Sequence, residues 1–460
     1  MDQMVHQRRV LAATSISYVI VILDISIVNV ALKPIATSLG IDIAGLQWMV
    51  NAYTLTFASL LLTGGTLGDR LGACTVYGAG LATFTLASAL CGLAPTLATL
   101  IAARTLQGLG AALLVPCSLT LINNAYEDPQ RRSGAFGLWA GLGGIAMAAG
   151  PLVGGVLIHL FGWRSIFLVN VPIGIAGLLM LRQVEADGPA ASSRHLDLAG
   201  QASAILALGL FTAFLIGGPG LGWRSPPALF MLVVSLAAGA VFLAIESRHS
   251  QPMLPLAFFR NGVFSSSVAV SMISAFTFYG LIFVLSLDLQ EQCGMPPLVA
   301  GLAFLPLTAL ISIGSMLSRR AAALVGSRRL VSGAFLMAAC GFLAMLAAGP
   351  ASPLWRLLLP MPLIGLAASL ITPATTTALM ATVEGDRAGI AAGVLNAARQ
   401  TGAALGVAGF GALVAALHPF AQGMAAGLFS AAILSVMGAL IWWRAAIRPS
   451  APISHAPSSR

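Results

Sequence analysis

Long apolar runs, each broken by charged residues or by clusters of Pro and Gly, fill this chain from end to end. They lie near 9–32, 45–68, 75–95, 97–122, 133–158, 164–182, 197–217, 227–246, 264–287, 297–317, 328–348, 354–379, 388–416 and 422–444. A helix needs about 20 apolar residues to cross a hydrocarbon core, whereas strands would need shorter, alternating segments. The pattern therefore predicts fourteen membrane-spanning helices and an all-α polytopic membrane protein. The first run follows Arg8 and Arg9 as a signal peptide would. Its length, the acid Asp24 inside it and the lack of a small-residue cleavage site predict a retained helix instead. The longest hydrophilic stretches are 183–196, 247–263 and the Pro/Ser tail 449–460, none long enough for a separate domain. The chemistry is expected within the membrane.

Composition agrees, since 58% of the 460 residues are apolar and 8% charged, against about a quarter charged in soluble domains. That excludes a cytosolic enzyme and, despite the net charge of +9, a nucleic-acid binder. The basic residues instead report topology. With the N-terminus inside, seventeen of the 23 Lys and Arg fall on its side, among them Arg70, Arg131, Arg132, Arg194, Arg448 and Arg460. Lys33, Arg164, Arg224 and Arg356 fall opposite. This bias predicts both termini in the cytoplasm. No G-x-x-x-x-G-K-[ST] loop or metal-ligand spacing is present, so no cofactor is expected and active transport would draw on an ion gradient. Cys74, Cys91, Cys117, Cys293 and Cys340 stand singly and read as small packing residues.

The chain also repeats itself. Arg132-Ser-Gly134 recurs 255 residues later as Arg387-Ala-Gly389, and a weaker echo links Gly65–Arg70 to Gly314–Arg319 at an offset of 249. Repeated halves of this kind occur in secondary transporters. The expected organisation is a six-helix bundle over 1–182, two inserted helices within 183–260, a second six-helix bundle over 261–448, and a cytoplasmic tail over 449–460.

Three charged side chains remain inside the predicted spans: Asp24, Arg104 and Arg399. An ionised side chain at mid-membrane costs about 2.5–3.5 kcal/mol, so Asp24 must be paired or take up a proton. Asp24 stands eight residues before the end of its run and Arg104 seven after the start of its own. At about 1.5 Å per residue both lie about 10–12 Å below the same surface. Two readings stay open: a structural ion pair, with Gln107 as a packing clamp, or a carboxylate whose proton occupancy changes as a water-filled cavity opens. Arg399, flanked by Asn396 and Gln400, is too deep to snorkel. It either lines a central cavity and meets anionic or hydrogen-bonding groups, or bonds neighbouring helix carbonyls. Asn29 and Asn51 complete the polar set assigned to a substrate cavity, although Trp48, Asn51 and Tyr53 suit interfacial anchoring or packing better than binding. The fifth run carries eight glycines, among them Gly150, Gly154 and Gly155, beside Pro151. Such spacing lets helices approach closely, as static packing or as a rocking surface.

Several motifs resemble those of the major facilitator superfamily. Gly65-Thr-Leu-Gly68-Asp69-Arg70-Leu-Gly72 resembles its loop signature, Arg104-Thr-Leu-Gln107-Gly108 its arginine motif, and Gly150-Pro151-Leu-Val-Gly154-Gly155 its antiporter motif. Leu23-Asp24-Ile-Ser-Ile-Val-Asn29-Val-Ala-Leu32 is similar to the first-helix signature of the fourteen-span drug/proton antiporter family. Trp163-Arg164-Ser-Ile-Phe167-Leu-Val-Asn170-Val-Pro172 and Asn396-Ala-Ala-Arg399-Gln400 point the same way. The resemblance implies the major facilitator fold and proton-coupled export of apolar or amphipathic small molecules from a bacterial inner membrane. Its partners would be that substrate, protons and the bilayer; nothing in the chain specifies an accessory efflux protein. The loop signature would form an inside-facing charge latch, but Ala73 and Cys74 stand where the superfamily has basic residues. Dedicated export of one endogenous metabolite and proton-linked uptake of a polar solute are the competing readings.

Overall fold

The computed structural model describes residues 2–184, 197–249, 252–347, 352–384 and 387–445. The helices are α1 (Asp2–Ile27), α2 (Leu32–Leu39), α3 (Ile43–Leu71), α4 (Ala73–Leu93), α5 (Leu97–Ala125), α6 (Pro129–Phe161), α7 (Ser165–Leu168), α8 (Asn170–Leu181), α9 (Leu198–Leu221), α10 (Pro226–Arg248), α11 (Gly262–Leu287), α12 (Pro297–Ala303), α13 (Leu305–Val325), α14 (Ser327–Leu346), α15 (Trp355–Leu358), α16 (Met361–Met380), α17 (Ala388–Ala416) and α18 (Phe420–Ala445). Among the described residues there is no strand. Most of the 183–196 loop and the 449–460 tail, with Arg194, Arg448 and Arg460, lie outside the described residues.

Each predicted run coincides with helix, but among the described residues ten helical segments are both long and apolar enough to cross a membrane. The other four runs fall on α3, α7–α8, α12–α13 and α17. The segment from Ser165 to Leu181 is apolar but short, whereas α3 and α17 are each 29 residues long and carry buried or half-buried polar side chains such as Gln47, Asn51, Asn396 and Arg399. These two helices pack on each other, so their polar faces meet protein and need no lipid-compatible surface.

The acids at helix starts act as caps. Asp42, Asp128 and Asp197 accept from the backbone N–H three residues on, and Asn261 caps α11 in the same way. A carboxylate there satisfies an orphan donor and meets the positive end of the helix dipole. Three of the fourteen acids are thereby spent at helix termini.

Helix pairings recur along the chain. The contacts α1 with α6, α3 with α5 and α4 with α5 reappear as α11 with α17, α13 with α16 and α14 with α16. The α9–α10 hairpin packs on itself and leans on α3 and α17. Single glycines join α3 to α4 and α13 to α14: Gly72 (φ +93°) and Gly326 (φ +80°), 254 positions apart. A side chain would strain either joint. This spacing lies nearer the 255-residue offset than the 249-residue echo: counted from these joints, Asp69 and Arg70 correspond to Ala323 and Leu324 rather than to Ser318 and Arg319.

The N-terminal helices α1–α8 meet the C-terminal helices α11–α18 most tightly at the end of the molecule that carries Lys33. There the Lys33 ammonium donates to the Gln290 carbonyl and the Ser286 hydroxyl to the Asn29 carbonyl. Gln47 Nε2 donates to the Val407 and Ala408 carbonyls at 3.1 and 2.8 Å. Gly155 lies so close to α12 that a Cβ on it would stand 2.8 Å from Leu298 Cα. The largest apolar cluster crosses between the halves here, from Ile27–Ile35 to Phe278–Leu289. Towards the Arg70 end, Gly134, Gly137 and Gly141 of α6 have open space around them. The Gly155→Val substitution is expected to prise α6 from α12, at about the 1–3 kcal/mol typical of overpacking. Cysteine pairs across that seam would then crosslink less readily than in the parent; equal crosslinking would show the seam absorbs the side chain.

Candidate transport site

The site starts from one turn of α1. Asn29 Nδ2 donates back to the Ile25 and Ser26 carbonyls at 3.0 and 3.3 Å, and the chain tightens into a 3-10 turn over Val28–Ala31 before α2 begins. The predicted first span ends near 32, whereas the helical segment runs on to Leu39 through this turn. Mid-helix 3-10 turns often mark hinges. One turn before it sits Asp24.

Asp24 is fully buried. Its Oδ2 accepts from Arg104 Nη1 at 2.5 Å, and its Oδ1 accepts from Gln107 Nε2 at 2.8 Å and Asn170 Nδ2 at 3.1 Å. Gln107 Oε1 accepts from the same Arg104 nitrogen at 2.7 Å, and Gln107 Nε2 also donates to Ser88 Oγ at 2.9 Å. The Arg104 guanidinium lies over the Tyr53 ring, 4.4 Å from its centroid, with Phe167 at 5.7 Å. A carboxylate with three donors and a cation stacked between aromatic rings is satisfied as an ion in spite of its depth. The depth argument from sequence thus brings Asp24, Arg104 and Gln107 together.

A cleft opens beside this network, between α1, α3 and α5 on one side and α11 and α17 on the other. It is narrow in this conformation, with a cavity volume of about 20 Å³, and is lined by Asn29, Tyr53, Thr54, Arg104, Tyr279 and Gln400 with apolar neighbours. Of the residues expected in a cavity, Asn29 and Gln400 line this one and Gln107 stands behind it. Asn51, Asn396 and Arg399 do not. Asn51 is fully buried with neither amide atom bonded. Arg399 donates to the Thr372 carbonyl at 3.0 Å and to Thr376 Oγ1 at 2.7 Å, which is the carbonyl-bonding alternative.

Tyr53 is no interfacial anchor: it is 1% exposed and its hydroxyl has no partner. Asn170 and Ser88 belong to the Asp24 network, yet neither stood out as a site residue in sequence. The usable signal for Asn170 was a lone amide in an otherwise apolar helix start. Cys74, Cys91 and Cys117 are buried as expected, whereas Cys293 and Cys340 are exposed, which corrects the packing assignment for those two.

The glycine motifs mark close approach. A Cβ at Gly68 would lie 2.7 Å from Cys117 Sγ, and Gly64 abuts the Ala112 carbonyl. Gly65 has room, with Pro116 at 3.7 Å. Asp69 is half-buried and Arg70 exposed in the last turn of α3. On α6, Gly150 faces Ser26, Gly154 faces Ile27, and the Pro151 carbonyl abuts Gly301 of α12. The helix that bears the glycine motif therefore touches both the turn after Asp24 and the opposite half.

Residues 14–407 match the family described as "Major Facilitator Superfamily". The chain is similar to a "Methylenomycin A resistance protein" of Bacillus subtilis (strain 168), 38% identical with 94% of this chain and 93% of that one covered. It is also similar to a "Multidrug resistance protein Stp" of Mycobacterium tuberculosis, 35% identical with 88% and 75% covered. Among solved structures, a bacterial homologue of the human lysosomal transporter Spinster, in an inward-facing and unoccupied conformation, superposes with a TM-score of 0.68. It covers 96% of this chain and 97% of the other at 17% identity, a likeness of fold. By sequence match and helical architecture alike, this multi-pass membrane protein belongs to the Major Facilitator Superfamily.

Proposed function

We propose that the chain is a proton-coupled exporter of small apolar or amphipathic drug-like molecules, of the fourteen-span antiporter type, seated in a bacterial inner membrane with both termini cytoplasmic. Export is supported by the relatives named for antibiotic resistance. The fourteen-span count is supported by helix at every predicted run, with the less apolar α3 and α17 turned towards each other. The partition into bundles over 1–182 and 261–448, with 183–260 inserted, follows the recurrent helix pairings.

The observation that carries proton coupling is the sealed Asp24 network at the edge of the cleft. A proton on either Asp24 oxygen turns an acceptor into a donor that faces Arg104, Gln107 or Asn170, which are themselves donors. It can be accepted only when at least one of them lets go. Arg104 also lines the cleft, so protonation and the cleft's charge change together. That is the linkage an antiporter needs: substrate and proton compete for one arrangement. In this scheme Asn29, Gln400 and Gln107 form the polar edge of the substrate path, and Asn51, Asn396 and Arg399 join it when the halves move. Gly150, Pro151, Gly154 and Gly155 seal the Lys33 end, while Gly65, Gly68, Asp69, Arg70 and Gly72 latch the other.

One proton entering down about 100 mV releases about 2.3 kcal/mol, and a tenfold ratio takes about 1.4 kcal/mol. A single carboxylate can thus sustain about a fifty-fold outward gradient of a neutral solute. Expressed in a pump-deficient host, the chain is expected to raise resistance to a subset of an antibiotic panel, and a protonophore is expected to erase the gain. Inward, protonophore-insensitive accumulation would indicate a facilitator instead. The relative named for one antibiotic favours a second reading, a dedicated exporter of one compound class, which a response confined to a single compound class would support.

A further inference from the structure

The interior carries more positive than negative charge. Asp24 and Arg104 neutralise each other, while Arg399 stands eleven residues past the start of α17. At about 1.5 Å per residue that is about 16 Å along the helix, half of a core about 30 Å thick. A guanidinium is charged at every accessible pH, and Arg399 donates to a carbonyl and a hydroxyl, both neutral. No carboxylate among the described residues is its salt-bridge partner. The other described acids lie at helix ends and loops. Arg399 adjoins Gln400, and its electrostatic neighbour Tyr279 lines the cleft with Gln400. On the far wall the Tyr53 hydroxyl is buried without a partner, and so is Arg104 Nε. The cleft therefore has an uncompensated cation behind its wall and idle hydrogen-bond donors on it, with Asp24 screened by Arg104.

We propose that the cleft takes substrates bearing a carboxylate or a comparably strong acceptor oxygen, with Arg399 as the counter-charge and the Tyr53 hydroxyl as a donor, and rejects lipophilic cations. This rests on the export reading and narrows its substrate class. A cation entering the cleft meets a net positive interior, and more so once Asp24 takes a proton. An anion instead supplies a counter-ion that no described residue provides, which offsets the cost of holding a bare guanidinium at this depth. Arg399 is a specificity residue here and takes no part in proton exchange.

The test uses three probes of one shape, naphthylacetate, naphthylacetamide and naphthylmethyl-trimethylammonium, binding to the purified full chain followed by tryptophan fluorescence. Naphthylacetate is expected to bind the parent at least about tenfold more tightly than the ammonium probe, with the amide between. Arg399→Gln is expected to bring the acetate down to the level of the amide while leaving the amide's affinity unchanged, and Arg399→Lys to keep most of the preference. Equal or tighter binding of the ammonium probe, an acetate preference that survives Arg399→Gln, or no binding of any probe to the parent overturns the inference. The resistance panel is read separately: resistance without anion preference sinks this inference alone, and no resistance to any compound sinks the export reading.

Discussion

Asp24→Asn is expected to leave the protein inserted at parental amounts and to abolish drug efflux driven by a proton gradient. Asparagine has the shape of aspartate but exchanges no proton, so any transport cycle that passes a proton through this position stops. The local cost is tolerable. One amide oxygen can still accept from Arg104, while the amide nitrogen is turned towards Gln107 and Asn170, both donors to the parental carboxylate. An unsatisfied buried donor costs about 1–3 kcal/mol, less than the stability of most folded domains. Everted vesicles loaded with an imposed pH gradient and a drug found on the resistance panel provide the measurement. Asp24→Glu, which keeps a titratable group one methylene further out, is the control and should retain part of the rate. Parental efflux by the Asn variant would remove Asp24 from the coupling.

Arg104→Ala has a different signature. It strips Asp24 of its cation, Gln107 Oε1 of its donor and the Tyr53 ring of its stacked partner at once. Removing one member of a buried ion pair costs about 3–5 kcal/mol, because the other is left charged and unpaired. In this variant that cost falls on Asp24, which keeps only Gln107 and Asn170 as donors. The variant is therefore expected to melt earlier in detergent and to lose the response to a pH gradient, while still equilibrating drug down its own gradient. Arg104→Lys keeps the charge but lacks the planar guanidinium that stacks on Tyr53, so it should recover stability before it recovers coupling. Full coupled transport by Arg104→Ala would exclude it from the mechanism.

Much of the architecture is legible from apolar runs alone. Every predicted run is helix, and the repeat at 255 residues agrees with the joints at Gly72 and Gly326. Depth counting along two helices placed Asp24 and Arg104 at one level, and they touch. Azimuth was harder to read. Residues that face lipid and residues that face a neighbouring helix are both apolar here, so periodicity does not tell one face from the other. For this reason the sequence leaves Tyr53 between anchor and packing residue, and makes Cys340 a packing residue although it is exposed. Asn170 offered only its polarity, because its partner lies 146 residues away in sequence.

What the sequence determined by itself is the set of rods and their depth. A hydrocarbon core demands runs of about 20 apolar residues with every backbone bond closed within the helix, and charge is admitted inside only at a cost that makes Asp24, Arg104 and Arg399 conspicuous. What the tertiary structure decided is who meets whom. Asn170 and Gln107 converge on one carboxylate, Tyr53 turns its ring under Arg104, and Arg399 is left with neutral partners, because these meetings depend on how each helix is rotated and which neighbours its glycines let approach.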